Sequence, residues 1–172
     1  MERFLKNNRG NAFIWLIIFI FVFIGVSTLV IDYGNLYVKT KKVKYTMNRA
    51  VKAASLQIEE EGTDLANGVF KINQERAELA FKEVLAGDLG LDEVTLEPRV
   101  NSLLYAKPIV KEFEVENNAP TTYTSSTINN HVYDIENPSV IATVEFKIKS
   151  TFLSTDIQVS KLSGSQLISV YD

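Results

Sequence analysis

Hydrophobic and polar positions along this chain fall into three regimes. From Ala12 to Ile31 the sequence reads AFIWLIIFIFVFIGVSTLVI, twenty residues without a charge, a proline or an amide side chain. At the helical rise of about 1.5 Å per residue that run spans roughly 30 Å, the thickness of a bilayer's hydrocarbon core. Only Gly25, Ser27 and Thr28 interrupt it, and membrane helices tolerate small residues of this kind. The run predicts a membrane-embedded helix.

From Asp32 the pattern turns amphipathic. Leu36, Thr40, Val43, Met47, Ala50, Ala54 and Ile58 recur at spacings of three and four, which places them on one stripe of a helix, while Lys41, Lys44, Asn48 and Lys52 take another face. Gly34 is the only helix breaker before the stripe ends and no proline occurs before Pro98, so one helix from about Ala12 to Ile58 is predicted, roughly 70 Å long. Glu59-Glu60-Glu61-Gly62 ends it, with glycine as the stop signal and three acids set against the helix dipole. The stripe covers part of its own domain's sheet, and Ala50, Ala53, Ala54 and Ser55 are small enough to admit a close neighbour from the same domain or from another subunit. Helix-to-helix packing is assigned to Trp15, Phe19, Val22, Gly25, Leu29, Asp32, Leu36, Val43, Met47, Ala50 and Ala54.

The third regime mixes short periods. Asn67-Gly68 reads as a turn and Val69-Phe70 as a short extended segment; Asn73 then caps a second helix with Ala77, Ala80, Phe81, Val84 and Leu85 on one face and Gly87 closing it. After Gly90 the period becomes two. Residues 94–100 predict a weak edge strand interrupted by Pro98, and residues 103–116 a strand in which Ile109, Phe113 and Val115 alternate against Val110, Glu112, Glu114 and Glu116. The clearest strand is 139–150, with Val140, Ala142, Val144, Phe146 and Ile148 towards a core and Thr143, Glu145, Lys147 and Lys149 towards water. Two more strands, 156–162 and 166–171, are predicted on either side of a Ser163-Gly164-Ser165 hairpin turn. The Thr- and Ser-rich stretch Asn117 to Asn130 reads as a surface loop.

The fold class is therefore α+β: a long N-terminal transmembrane-plus-amphipathic helix, then a small domain with one further helix and an antiparallel β-sheet, a pilin-like layout. Residues 1–11 form a short basic stub, 12–31 the transmembrane helix, 32–61 its amphipathic continuation and 62–172 an extracytoplasmic α+β domain, one domain by length.

Composition narrows the chemistry. A formal charge of −3 gives no support for a nucleic-acid partner. The absence of cysteine removes thiol nucleophiles, disulfides and thiolate zinc sites, and a single histidine, His131, removes histidine pairs on a metal. Ser163-Gly164-Ser165 lacks the flanking glycines of a nucleophile elbow, and no Gly-rich phosphate loop occurs. Neither Asp134, Glu136 and Asn137 nor Asp88, Asp92 and Glu93 has EF-hand spacing. No catalytic residue, metal, cofactor or small-molecule substrate is expected.

Orientation is contested by charge. Arg3, Lys6 and Arg9 mark the N-terminus as cytoplasmic, whereas Lys39, Lys41, Lys42, Lys44 and Arg49 on the other flank argue the reverse; the basic cluster starts several residues beyond the apolar run, which favours the N-terminus inside. A signal peptide cut after Ser27 is the competing reading, but the apolar run outlasts an h-region and continues through Leu29, Val30 and Ile31.

Three landmarks remain: Arg9-Gly10-Asn11-Ala12 before the apolar run, Ile31-Asp32-Tyr33-Gly34 after it, and the basic helix ending Asn48-Arg49-Ala50-Val51-Lys52-Ala53-Ala54-Ser55. Together they resemble the N-terminal segment of the tight-adherence (Flp-type) pilus proteins of the TadE/TadG-like group. The resemblance implies a single-pass protein with a short cytoplasmic N-terminus, working as a minor pilin or pseudopilin, or as a membrane-anchored component of the assembly apparatus of a surface pilus or related secretion system. Its implied partners are the lipid bilayer, further copies or other pilin subunits, and the pilus assembly machinery. It makes Gly10 and Asn11 the candidate processing site. Processed members carry a glutamate five residues after the cut, whereas this chain has Trp15 there, closer to the unprocessed, anchored relatives. Asp32, about 26 Å further along the helix, does not replace that glutamate. The alternative expectation is a membrane-anchored binding module in which loop 117–130 or the sheet face recognises a partner.

Overall fold

A computed structural model describes residues 8–61, 63, 69–128, 132–152 and 156–167 of the chain. In chain order its elements are α1 (Asn8–Ser55), α2 (Gln74–Leu89), β1 (Ile109–Glu116), β2 (Thr121–Thr124), β3 (Val132–Ile135), β4 (Ser139–Lys149) and β5 (Asp156–Gln166). The class is α+β.

The helix α1 runs unbroken for 48 residues. Its distal half carries the predicted stripe: Asp32, Val43, Thr46, Met47, Ala50, Val51, Ala54 and Ser55 are buried, and Leu36 packs partly against the same core. The helix stops at Ser55 and does not reach Ile58 or Glu61. Ser55 Oγ donates back to Lys52 O at 2.9 Å, the Gln57 N–H reaches Ala54 O at 3.1 Å, and Ile58 leaves the helix to form an antiparallel bridge with Ile72. That exit takes Glu59, Glu60 and Glu61 off the helix, which relieves the clash of three carboxylates with its negative end. Gly62 and the Asn67-Gly68 turn lie outside the described residues.

The helix α2 starts where the capping residue requires it: Asn73 Oδ1 accepts from the Arg76 N–H at 2.9 Å. It passes through Gly87 and closes at Gly90, whose φ of 71° is the left-handed conformation that glycine adopts without a steric penalty. A Cβ at Gly90 would also lie 3.2 Å from Ser102 Cα, so this cap doubles as a point of close backbone approach.

Three strands form an antiparallel sheet in the order β1-β4-β5, and β2 pairs with β3 in a separate hairpin. The distal half of α1 packs on β4, β5 and α2. Val140, Ala142, Val144, Phe146 and Ile148 meet Val43, Met47, Phe81 and Leu85 in the core, and the Phe81 and Phe113 rings lie 5.2 Å apart.

Several strand expectations need correction, each for a physical reason. Residues 94–100 are a turn built on Asp92, whose Oδ1 accepts from Val94 N, Thr95 N and Thr95 Oγ1, and only Leu91 and Pro98 form a bridge. In β1, which starts at Ile109 and not at residue 103, a bulge between Val110 and Glu112 changes the parity. Val110 therefore joins Phe113 and Val115 against the core, while Ile109 turns outward. The outer face of β4 is wet only in its second half, because Ser139, Ile141 and Thr143 are buried. The 117–130 stretch contributes β2, which pairs Thr121 to Thr124 with Ile135 to Val132 and so closes a hairpin that the polar composition concealed.

No hairpin occurs at Ser163-Gly164-Ser165. The residues from Asp156 to Gln166 stay in register with β4, and the small side chains serve α1 instead. Ser163 Oγ donates to Asn48 Oδ1 at 2.8 Å, Ser165 Oγ lies 3.0 Å from Ser55 Oγ, and Gly164 stands against Ile141. Most of the strand expected at 166–171 lies outside the described residues.

The Phe81 ring, buried to within 1%, is a test of this core. In the full chain in detergent, Phe81→Ala is expected to cost about 3–5 kcal/mol in chemical denaturation. The exposed Phe21→Ala in the same experiment is expected to leave the denaturation midpoint unmoved.

Candidate functional site

The apolar half of α1 presents a continuous run of exposed apolar side chains. No part of its most apolar window is buried, and it is long and apolar enough to cross a membrane. Trp15 is 66% exposed and Phe19 67%, with Val22, Gly25 and Leu29 also open. Thr28 Oγ1 in this run donates to Ile24 O at 2.9 Å, so it does not enter an apolar medium unsatisfied. Nothing lies within 4 Å of a Cβ built at Gly25, which leaves a flat place where a second helix backbone can approach. Gly10 and Asn11 fall within the first turn of α1, so the candidate processing bond is helical.

The other expected packing positions are occupied from within. Val43, Met47, Ala50 and Ala54 belong to the head's own core, and Leu36 packs on its edge. They are not available to another subunit. Asp32 is likewise committed: it is fully buried, and its carboxylate accepts from Ser150 Oγ, from the Thr151 N–H at 2.8 Å and from the Phe152 N–H at 3.2 Å. It fastens the β4–β5 turn to the helix at the first position after the apolar run. A sequence reading misses this, because the three donors lie almost 120 residues away.

The exposed side of the distal half is aromatic and basic. Tyr37, Val38, Lys41, Lys42, Tyr45, Thr46 and Arg49 of α1 line an open groove of about 740 Å³ together with Gly87 and Asp88 at the α2 end. Lys41 Nζ stands 5.4 Å from the Tyr37 ring centre. Arg49 Nη1 reaches both Asp88 oxygens at 2.9 and 2.8 Å, which clamps α1 to α2.

A second polar centre lies on the outer face of the sheet. The bulge that turns Val110 inward also places Glu112 opposite Thr143. Its Oε1 accepts from the N–H and hydroxyl of Ser126 and of Thr127, at 2.6 to 3.1 Å; its Oε2 accepts from Ser125 Oγ at 2.9 Å, Thr143 Oγ1 at 2.8 Å and the Tyr123 hydroxyl at 3.1 Å. Burial pushes the Glu112 carboxyl up, but the hydroxyls of Ser126, Thr127, Thr143 and Ser125 outweigh it and hold the group far below the usual carboxylate range. The Tyr123 phenol is pushed up to about 12, by burial first and then by its bond to that carboxylate. Seven donors saturate the four lone-pair directions of a carboxylate, so Glu112 is a fastener for the 125–127 loop and stays ionised near neutral pH. Sequence alternation placed Glu112 on a solvated face. The missed signal was the run of hydroxyls Thr124-Ser125-Ser126-Thr127, a set of donors awaiting one acceptor.

Among the described residues no three His, Cys, Asp or Glu side chains gather as a metal ion would need. Asp88 and Asp92 are engaged as described above, and His131 lies outside the described residues. In comparisons with known proteins, no family model, no curated protein and no solved structure matches this chain.

Because the folded Glu112 titrates below its ordinary value of 4.5, its stabilising contribution is complete above that pH and is lost as the pH falls towards the folded value. Glu112→Gln is expected to lower stability by about 2 kcal/mol at pH 7. The same variant should show a shallower loss between about pH 4.5 and pH 2 than the parent chain, measured by denaturation at a series of pH values.

Proposed function

We propose that this protein is a membrane-anchored, pilin-like subunit or assembly component of a surface pilus or related secretion system, acting through packing of its N-terminal helix. The observation that carries the reading is the division of α1, whose first half is bare and apolar while its second half is built into an α+β head. A helix of this kind can exchange lipid for the apolar flanks of neighbouring copies at little hydrophobic cost, which permits assembly out of the membrane. The resemblance of Arg9-Gly10 and Asp32-Tyr33-Gly34 to the TadE/TadG-like group supports the pilus setting, with the N-terminus cytoplasmic and the head outside. Contacts between copies then run through Trp15, Phe19, Val22, Gly25 and Leu29, since the stripe beyond Leu36 is spent on the head.

A second reading, a tethered binding module outside any filament, is favoured by the β2–β3 hairpin and the adjoining 125–127 loop, which Glu112 holds on the outer face of the sheet.

The cysteine-free chain makes the test direct. Single cysteines introduced in turn from position 15 to 29 and oxidised in membranes are expected to crosslink with helical periodicity, strongest at one face that includes Val22→Cys or Gly25→Cys. Removal of residues 1–31 should abolish this assembly while a circular-dichroism spectrum of the head persists. A chain that gives no crosslink at any of these positions, in cells that still make normal surface filaments without it, overturns the subunit reading.

A further inference from the structure

Asp32 follows directly on Ile31, the last apolar residue of the span, and it is fully buried. A carboxylate at the edge of a hydrocarbon layer is costly unless its lone pairs are filled, and here the turn after β4 fills them through Ser150, Thr151 and Phe152. The bonds from the Thr151 and Phe152 amides, at 2.8 and 3.2 Å, also fix where that turn sits: level with the point at which the span leaves the bilayer.

What the turn presents there is not what a water-facing turn usually presents. Phe152 is 56% exposed, and Tyr33, one residue past Asp32 on the helix, is 70% exposed. Aromatic side chains at this depth form the interfacial belt of membrane proteins. Just above them Lys39 Nζ donates to the Lys149 backbone O at 2.9 Å, which brings the Lys39 ammonium to the end of β4, where the Lys149 side chain is exposed. Lys39 lies seven residues beyond Asp32, about 10 Å further out, within lysine reach of a headgroup layer roughly 5–8 Å deep. Asp156 stands opposite Lys149 in the ladder and offsets one of these charges, while the exposed Lys41 and Lys42 a little further out keep the balance positive.

We propose that Thr151 and Phe152, with Tyr33, Lys39 and Lys149, form a seat on the bilayer surface that takes anionic phospholipid headgroups, held at its depth by the Asp32 carboxylate. The inference rests on the membrane-anchored reading and deepens it. The span keeps the head from leaving the membrane, and the seat fixes its height and face against the lipid. Continuity with the apolar run, an exposed aromatic pair at the boundary and charge opposite to that of the headgroups all point to lipid as the occupant.

The test uses the full chain in vesicles of phosphatidylcholine with or without phosphatidylglycerol, carrying nitroxide lipids in the headgroup or the mid-acyl chain. A fluorophore is placed at one position at a time through Val22→Cys, Thr151→Cys or Lys52→Cys. Mid-chain quenching at position 22 establishes insertion; its absence would overturn the membrane reading and the seat with it. With insertion established, headgroup quenching is expected at position 151 and not at position 52, about 30 Å further along the helix. Quenching at 151 is expected to increase with phosphatidylglycerol, to lose that increase in a Lys39→Gln, Lys149→Gln chain, and to fall in a Phe152→Ser chain, whose exposed ring the fold does not need. Position 151 unquenched while position 22 is quenched overturns the seat and leaves the anchor standing. Quenching at 151 that ignores lipid charge and both sets of substitutions overturns it as well, as does protection of 151 that grows with protein density, which assigns this surface to a second copy.

Discussion

The head of this protein builds its core against the same helix that carries an apolar run long enough to cross a membrane. Val43, Met47, Ala50, Val51 and Ala54 are consecutive rungs of the same helix that carries Trp15 and Phe19, and they close the space between α2 and the inner face of β4. A domain of this size has little apolar surface to spare. Without α1 the row Val140, Ala142, Val144, Phe146 and Ile148 would face water. Folding of the head and ordering of the distal helix are thus one event, and the direction in which the helix leaves the head is settled by side-chain packing and not by a linker.

The polar fasteners follow the same geometry. Asp32 ties the middle of α1 to the β4–β5 turn, while towards its C-terminal end Arg49 ties it to Asp88 on α2 and Asn48 and Ser55 tie it to the serines of β5. Of these, Asp32 is the one that is fully buried, where a hydrogen bond to a charged group is worth more than on an open surface, whereas the Arg49 side chain stays exposed. Small residues at Ser163 and Ser165 let the helix axis approach the sheet closely enough for the bonds to Asn48 and Ser55 to form.

Helical periodicity is a strong local signal, and it made α1, its buried stripe and the apolar face of α2 legible in the sequence. Alternation did the same for β4. What stayed hidden depended on contacts distant along the chain. Ser163-Gly164-Ser165 has the composition of a turn, yet the same smallness is required where a helix crosses a strand. One extra residue in β1 inverts the parity of Ile109 and Val110, and no periodicity count detects a bulge. Asp32 resembled a helix-surface landmark, and Glu112 a solvated charge, because the donors that claim them come from β-turns and loops up to 120 residues away. Among the expected packing positions the exposed set, from Trp15 to Leu29, could be read from hydropathy alone, whereas the fate of Val43, Met47, Ala50 and Ala54 turned on whether a partner already existed inside the head.

One property of α1 reaches beyond contacts. Because it runs from the apolar segment into the core without a hinge, the head and the apolar half of the helix move as a single lever. Helices in bilayers lean by about 20° on average, and over the 23 residues from Asp32 to Ser55 such a lean carries the far end of the head roughly 12 Å sideways. For a chain anchored as proposed, bilayer thickness, which governs that lean, would become a mechanical input that sets where the outermost surface of the protein points.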